Sequence, residues 1–492
     1  MPSLRLCDAL AAHARHRPEA AALVWRGRRT TYRRLVDLAE EMAAALDRLD
    51  LDRSRPLYVP AHKTPETIAL LIGAFRAGYA VLTPSPGLGA AVLETLTVQA
   101  RCSAVLTIDD RGALHHDDVP QNEAAARGFD AVDPTTAHLL LTTSGSTGTP
   151  KIVPIGADAF DRFAAWAVET FHLTERDTLL SYAPLNFDLS LLDVWTGLRL
   201  GAAVVLVEED SATDARHLRD LVAEHKVTFV QGVPMLYRLL TQDDARHPHV
   251  RTAIFTGDAM PRPLLARLGA AFPGARFHNV FGCTETNDSF LHDVDPAAAG
   301  EKTPIGRPLP GVRALLLDDE GKVLDGPGTG ELFVTTPFQT AGYLQRERNE
   351  GVFVPAPDGG PEVFYRTGDV VSRDAEGLHR LDGRTDFQVK VRGVRTNVQE
   401  VENVLATHPD VAEAAVVALP DPEAGYRLHA QVTRRPGTAL TSLRLRTHSA
   451  AHLPRHAIPS SVQVGDTPLP RTATGKPDRN LIKALRQKGN HA

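Results

Sequence analysis

Apolar residues recur on one stripe between Tyr32 and Leu49, at Leu35, Leu38, Met42, Ala45 and Leu46. That three-to-four spacing predicts a helix burying one face. An apolar strand at 57–59 and a helix through 68–77 follow. Further on, short runs rich in Val, Ile and Leu at 104–108, 138–142, 202–207, 228–230 and 252–255 alternate with helical segments of ten or more residues. Strands separated by helices predict βαβ units and parallel sheet. No internal repeat is visible. The Ala- and Arg-rich stretch 9–15 reads as genome composition expressed through good helix formers.

Beyond about Gly330 the pattern shortens to strand-like pieces at 331–335 and, after a Thr-Gly-Asp turn, at 370–373, with another at 314–317 just before. This predicts a β-rich subdomain. A helix at 398–407 then precedes strands at 412–419 and 428–433, a compact α+β set. The expected class is α/β: a large N-terminal domain, residues 1–382, with parallel-rich sheets and a β-rich subdomain, followed by a small α+β domain, residues 383–492. The segment 382–386, Asp-Gly-Arg-Thr-Asp, is the expected hinge.

The chain has 492 residues, more than one core usually supports, and an ordinary globular composition with 43% hydrophobic and 23% charged residues. Lys and Arg number 54 against 60 Asp and Glu, a net charge of −6 without long like-charged runs. No nucleic-acid partner and no membrane partner is expected. Cys7, Cys102 and Cys283 are odd in number and widely spaced, which suggests neither a disulfide framework nor a CxxC metal site and fits a reducing compartment. Charge interrupts the apolar residues of the N-terminus at once, so a soluble, cytoplasmic chain without a targeting segment is expected.

The strongest chemical signal is residues 139–151, LLLTTSGSTGTPK, an apolar strand running into a loop of small hydroxyl residues and glycines that ends in Lys151. Glycines let backbone N–H groups curl into an anion nest, and hydroxyls and an ammonium add donors for phosphate oxygens. It is not the Walker loop, since Thr149 and Pro150 separate the last glycine from Lys151, and Ile152 follows it. Polyphosphate handling follows from these residues alone.

The run Thr143 to Lys151 resembles the signature of the adenylate-forming superfamily, which includes acyl-CoA synthetases, luciferases and nonribosomal peptide synthetase adenylation domains. Four further segments are similar to later family motifs and stand in the family's order: 279–285 (NVFGCTE), 365–369 (YRTGD), 383–393 (GRTDFQVKVRG) and 470–479 (PRTATGKPDR). The likeness extends from Thr31 to Arg479. It implies a large domain and a mobile lid that turns on Asp386.

That resemblance implies ATP and Mg²⁺ as cofactors. Thr143, Ser144, Gly145, Ser146, Thr147, Gly148 and Lys151 would hold the β- and γ-phosphates, Glu285 the metal, and Thr284 would touch the α-phosphate. In the same scheme Phe281 stacks on adenine beside Gly282, Asn279 bonds its exocyclic amine, Asp369 takes the ribose hydroxyls, and Arg384 assists. Lys476 would bridge the substrate carboxylate and the α-phosphate. Such chemistry needs a weak nucleophile held in line while cations absorb the charge of pyrophosphate.

The segment 182–190, YAPLNFDLS, points to the substrate. By resemblance to amino-acid-activating members, Asp188 pairs with the substrate ammonium. A buried carboxylate without a cation costs several kcal/mol, so a charged ligand is its natural justification. Leu189, Leu192, Thr256, Val280 and Asp288, with Gln231 beside them, would line the side-chain pocket. Asp188, Leu189 and Leu192 resemble the start of the pocket in prolyl-activating ligases. Asp288 departs from those enzymes and from D-alanine–carrier ligases, which carry a small apolar residue there. It either faces a second nitrogen, as in a basic or β-amino acid, or turns outward to bond Asn287 or backbone. Cys283 replaces a proline, and 340–344 (TAGYL) keeps only the end of its motif; neither departure is expected to touch the chemistry.

The expected activity is ATP-dependent formation of an aminoacyl-AMP from a small amino acid, then transfer to the phosphopantetheine thiol of a separate carrier protein, as in nonribosomal peptide and antibiotic biosynthesis. An acyl- or aryl-CoA synthetase is the alternative on the same fold. A catalytically inactive ATP-binding or carrier-docking protein is the alternative of another class, against which stands the retention of Lys151, Glu285, Asp369 and Lys476 together.

Overall fold

A computed structural model describes residues 4–488 except 110–111, 120–121, 123, 125, 134–135, 144–149, 299–301, 385–387, 422 and 471–476. The phosphate-loop residues Ser144, Gly145, Ser146, Thr147 and Gly148, the hinge residue Asp386 and the lid lysine Lys476 therefore lie outside the described residues. The chain divides into two compact units. One comprises Met1–Pro86, Thr97–Thr142 and Ile152–Thr385, the other Gly87–Leu96, Thr143–Lys151 and Asp386–Ala492.

The first unit is built on a nine-stranded mixed sheet. Its strands are β1 (Ala21–Trp25), β2 (Arg28–Thr31), β3 (Thr178–Ser181), β4 (Ala203–Leu206), β5 (Phe229–Gly232), β6 (Thr252–Phe255), β7 (Arg276–Cys283), β8 (Asn287–Val294) and β9 (Arg307–Pro308), in the order β9-β8-β7-β6-β5-β3-β4-β1-β2. The central strands β1, β4, β3, β5, β6 and β7 are parallel, and β2, β8 and β9 run antiparallel on the edges. The central strands are almost wholly buried, which is why they read as apolar runs rather than alternations.

A six-stranded sheet contains Leu57–Tyr58, Val81–Leu82, Ala104–Ile108 and Ala137–Thr143 as parallel strands. Helix Pro65–Arg76 is buried at Pro65 and throughout from Thr67 to Phe75, apolar on every side beyond its first turn as a helix within the core must be. It begins three residues before the reading from apolar spacing. Thr64 accepts from the Thr67 N–H at 3.1 Å, and Pro65 occupies the first turn, where its missing N–H costs nothing. The Ala- and Arg-rich stretch 9–15 lies in helix Leu4–His16, whose Leu6 and Leu10 are buried.

The β-rich subdomain is an antiparallel sheet of β10 (Arg313–Leu317), β11 (Gly328–Thr335), β12 (Phe353–Pro355), β13 (Val363–Arg373) and β14 (His379–Arg384). Here the sequence reading needs correction. Thr367-Gly368-Asp369 is no turn before a strand but the interior of β13, where irregular registers against β11 and β14, with Gly368 at φ +73°, bend a continuous strand.

In the second unit, strands Gln388–Val391, Val394–Asn397, Val411–Asp421, Gly425–Arg434 and Ser461–Gly465 form a sheet with helices Val398–Ala406 and Ser442–His452. Asn397 caps the first helix, accepting from Gln399 N–H at 2.8 Å. Val401, Leu405, Val416, Leu428 and Leu445 make its core.

Candidate active site

Four parallel strands end along one edge of the nine-stranded sheet. Val230 of β5 is in register with Leu180 of β3, Gly232 with Phe255 of β6, and Phe255 with Asn279 of β7. Ser181, Gln231, Thr256 and Asn279 with Val280 therefore lie side by side where β3, β5, β6 and β7 end or begin to turn. In open α/β sheets ligands bind outside the carboxyl ends of the strands, because loops leave the sheet there.

Asp188 lies on the segment that leaves β3. Successive tight turns shape it: Phe187 N–H donates to Pro184 O, Ser190 N–H to Phe187 O, and Ser190 Oγ to Leu185 O at 3.1 Å. It runs into a π-helical turn, Leu191–Thr196, which contains Leu192. Wide turns of this kind are rare and cluster at functional sites. Gln231 Nε2 reaches Leu189 O at 3.4 Å. The Asp188 carboxyl has its pKa raised, first by burial and also by the charge of Glu285, against the opposing pull of the Thr284 hydroxyl and of backbone N–H groups.

Asp288 is the second residue of β8, opposite Gly282. Its backbone N–H donates to Asn287 Oδ1 at 2.9 Å, but its carboxylate makes no hydrogen bond or ion pair with the described residues. Burial, and after it the negative charge of Asp188, pushes its pKa up to about 7. The β7–β8 hairpin that carries it is tightly drawn. A Cβ on Gly282 would lie 2.1 Å from Asn287 O, so no other residue fits, and Asn287 itself takes a left-handed φ of +56°.

On the same hairpin, Asn279 Nδ2 donates to Pro304 O at 2.6 Å, which leaves Oδ1 as the acceptor that an exocyclic amine needs. Phe281 packs edge-on against Phe290. Glu285 is 1% exposed, and its Oε1 accepts from Tyr343 Oη at 2.5 Å. Thr340 N–H donates to Glu285 O at 3.0 Å. The segment 340–344 does touch a residue assigned to chemistry. The departure falls on Thr340 and Ala341, and Thr340 reaches Glu285 through its backbone N–H alone, whereas Tyr343, in the kept end of the motif, bonds the carboxylate itself.

Asp369 of β13 is buried and paired across the sheet with Arg384 of β14, whose Nη1 donates to Asp369 Oδ1 and Nη2 to Thr367 O at 2.8 Å. Thr143 ends the strand Ala137–Thr143 with a buried Oγ1, and Lys151 begins Lys151–Gly156.

Two family models match the chain: the AMP-binding enzyme over residues 10–344 and the AMP-binding enzyme C-terminal domain over residues 400–476. The chain belongs to the AMP-binding enzymes, the adenylate-forming family. Among its relatives is the L-proline–[L-prolyl-carrier protein] ligase of Streptomyces coelicolor, 35% identical over 71% of this chain and 66% of that protein. The ligase of the same name from Pseudomonas fluorescens is 30% identical over 94% of this chain and 95% of that one. Of solved structures, that of IdnL1 superposes with a TM-score of 0.78 at 27% identity, covering 94% of this chain and 98% of the other.

This AMP-binding enzyme holds two features that sequence reasoning missed. One is Tyr343, the donor to Glu285. The other is Lys63, 4% exposed, whose Nζ donates to Ser181 O at 3.0 Å and Tyr182 O at 2.9 Å, with the fully buried Asp193 as the strongest negative charge acting on it. Nothing in the spacing of His62-Lys63-Thr64 marks a buried ammonium. Among the described residues no group of three or more His, Cys, Asp or Glu could hold a metal, and no helix is long and apolar enough to cross a membrane.

Proposed function

We propose that the enzyme activates an amino acid with ATP, releasing pyrophosphate, and passes the aminoacyl group to the phosphopantetheine thiol of a separate carrier protein. One substrate carboxylate oxygen bonds to the α-phosphorus as the bond to the pyrophosphate oxygen breaks. The thiol sulfur then bonds to the acyl carbon as AMP leaves and the thiol proton is lost. Asp188, on the segment leaving β3, is the observation that carries this reading: a burial-perturbed carboxyl with no cation of the described chain to offset it suits a substrate ammonium. Leu189, Leu192, Thr256 and Val280 shape the pocket for the rest of the amino acid.

Asn279, Phe281 and Gly282 receive adenine, Asp369 held by Arg384 takes the ribose, and Thr284 meets the α-phosphate. The residues 143–148 with Lys151 cradle the β- and γ-phosphates, and Lys476 of the lid neutralises the reacting oxygens. Glu285 fits Mg²⁺, a hard cation that is commonly held by one or two carboxylates together with substrate phosphates. When bound, that ion offsets the charge of the pyrophosphate.

Asp288 narrows the substrate. An α-ammonium neutralises one carboxylate of the Asp188–Asp288 pair and leaves the other unpaired, so an amino acid with a second basic nitrogen balances the site. ATP–pyrophosphate exchange over neutral, β- and diamino acids, followed by the mass of a loaded holo-carrier protein, tests the reading. Exchange with fatty or aryl acids alone would overturn it.

A further inference from the structure

Where the chain leaves β3, backbone bonding leaves Ser181 O with one donor and Tyr182 O with none among the described residues, so further donors are called for. Lys63, in the loop before helix Pro65–Arg76, supplies them. Its Nζ donates to Ser181 O and Tyr182 O, and Ser181 O also accepts from Val207 N–H at 3.1 Å. At the far end of the same segment Asp193 lies in the π-helical turn, fully buried, with neither carboxylate oxygen hydrogen-bonded. Its backbone N–H donates to Leu189 O at 3.3 Å. Ser181 Oγ, also buried, opposes the upward shift of the Asp193 carboxyl.

A lysine is a costly way to satisfy two carbonyls, since an ammonium out of water loses hydration that only an opposite charge offsets. Asp193 answers it. Burial pulls the Lys63 pKa down and pushes that of Asp193 up, and each opposes the shift of the other; Glu208 and Glu209 add to the negative field around Lys63. Lys63 thus grips the start of the segment carrying Asp188, while its counter-charge sits on the turn carrying Leu192. Removing either partner takes away the charge that keeps the other ionised, and the segment held between them must either move or lose a charge-assisted contact.

We infer that Lys63 and Asp193 are positioning residues for the carboxylic-acid substrate, two buried side chains of opposite charge that bracket the segment 182–192 and fix Asp188 and Leu192 against the pocket. The inference rests on the reading of that segment as the substrate wall. It does not depend on which acid is activated.

The test uses the full chain and whichever carboxylic acid supports pyrophosphate exchange in the wild type. Lys63→Met and Asp193→Asn should each raise KM for the acid at least tenfold and leave KM for ATP within twofold. Lys63→Arg, which keeps the charge and the donors, should return the acid KM to within about threefold of wild type. Acid KM values unchanged in both variants, or acid and ATP KM rising together, would overturn the inference. Should Lys63→Met not fold, the near-isosteric Asp193→Asn and the charge-keeping Lys63→Arg decide the same question. A wild type active only on a fatty or aryl acid would sink the amino-acid reading, and the split between the two KM values on that acid would still judge Lys63 separately.

Discussion

Replacing Asp288 with Asn separates the two fates open to that carboxylate. In the free enzyme burial and Asp188 move it from an ordinary 3.8 to about 7. At 1.36 kcal/mol per tenfold this is a preference of about 4 kcal/mol for the protonated form. The sign follows from the raised value: the destabilisation is absent below pH 3.8, grows as pH rises to 7 and is constant above. Asp288→Asn should therefore stabilise the free enzyme at pH 8 by a few kcal/mol in denaturant titration and leave it nearly unchanged at pH 4. For a substrate with a second ammonium the effect reverses. Losing a charge-assisted hydrogen bond of about 1.5–3 kcal/mol should weaken kcat/KM roughly 10- to 150-fold, while neutral amino acids lose little. In the wild type, KM for a diamino acid should fall between pH 6 and 8 as Asp288 ionises, and KM for a neutral one should stay flat. An unchanged diamino-to-neutral ratio in Asp288→Asn, with no pH trend in the wild type, would refute the reasoning.

Three further outcomes are expected. Tyr343→Phe removes the donor to the buried Glu285 carboxylate and should lower stability by about 1.5–3 kcal/mol in denaturant titration; an unchanged midpoint would mean that the contact contributes nothing. Arg384→Ala releases Asp369 and should raise KM for ATP about tenfold or more, the ~1.5 kcal/mol or more of a charged hydrogen bond, with KM for the amino acid unchanged; equal shifts in both would argue against a ribose role. Gly282→Ala forces a Cβ to 2.1 Å from Asn287 O and should cost about 3 kcal/mol or more, or prevent soluble expression, since a close-packed backbone contact cannot relax; a wild-type melting profile would contradict the hairpin geometry.

Elements whose own residues state their environment were legible in the chain. Helix Tyr32–Leu49 was readable to its ends from one apolar stripe, and the buried parallel strands from their Val, Ile and Leu runs. Helix Pro65–Arg76 was misplaced at its start because a helix buried on all sides has no stripe to count. The β13 strand was cut short because Thr-Gly-Asp is turn chemistry locally, and only pairing with β11 and β14 keeps it extended. The site divides the same way. Asp188, Glu285 and Asp369 stand in motifs, but the partners that hold the chemistry in place lie far off in sequence: Tyr343 is 58 residues from Glu285, and Lys63 is 118 from Ser181. No local pattern reports a contact made by tertiary folding.

Asp188 is the hinge of the amino-acid reading, and amino-acid-dependent ATP–pyrophosphate exchange tests it most directly. The panel should include proline, alanine, glycine, β-amino and diamino acids, with Asp188→Ala and Lys476→Ala in parallel. The account predicts strong exchange with an amine-bearing acid that both variants abolish. Exchange with that acid surviving Asp188→Ala, or silence across every amino acid with activity on fatty or aryl acids, would contradict it.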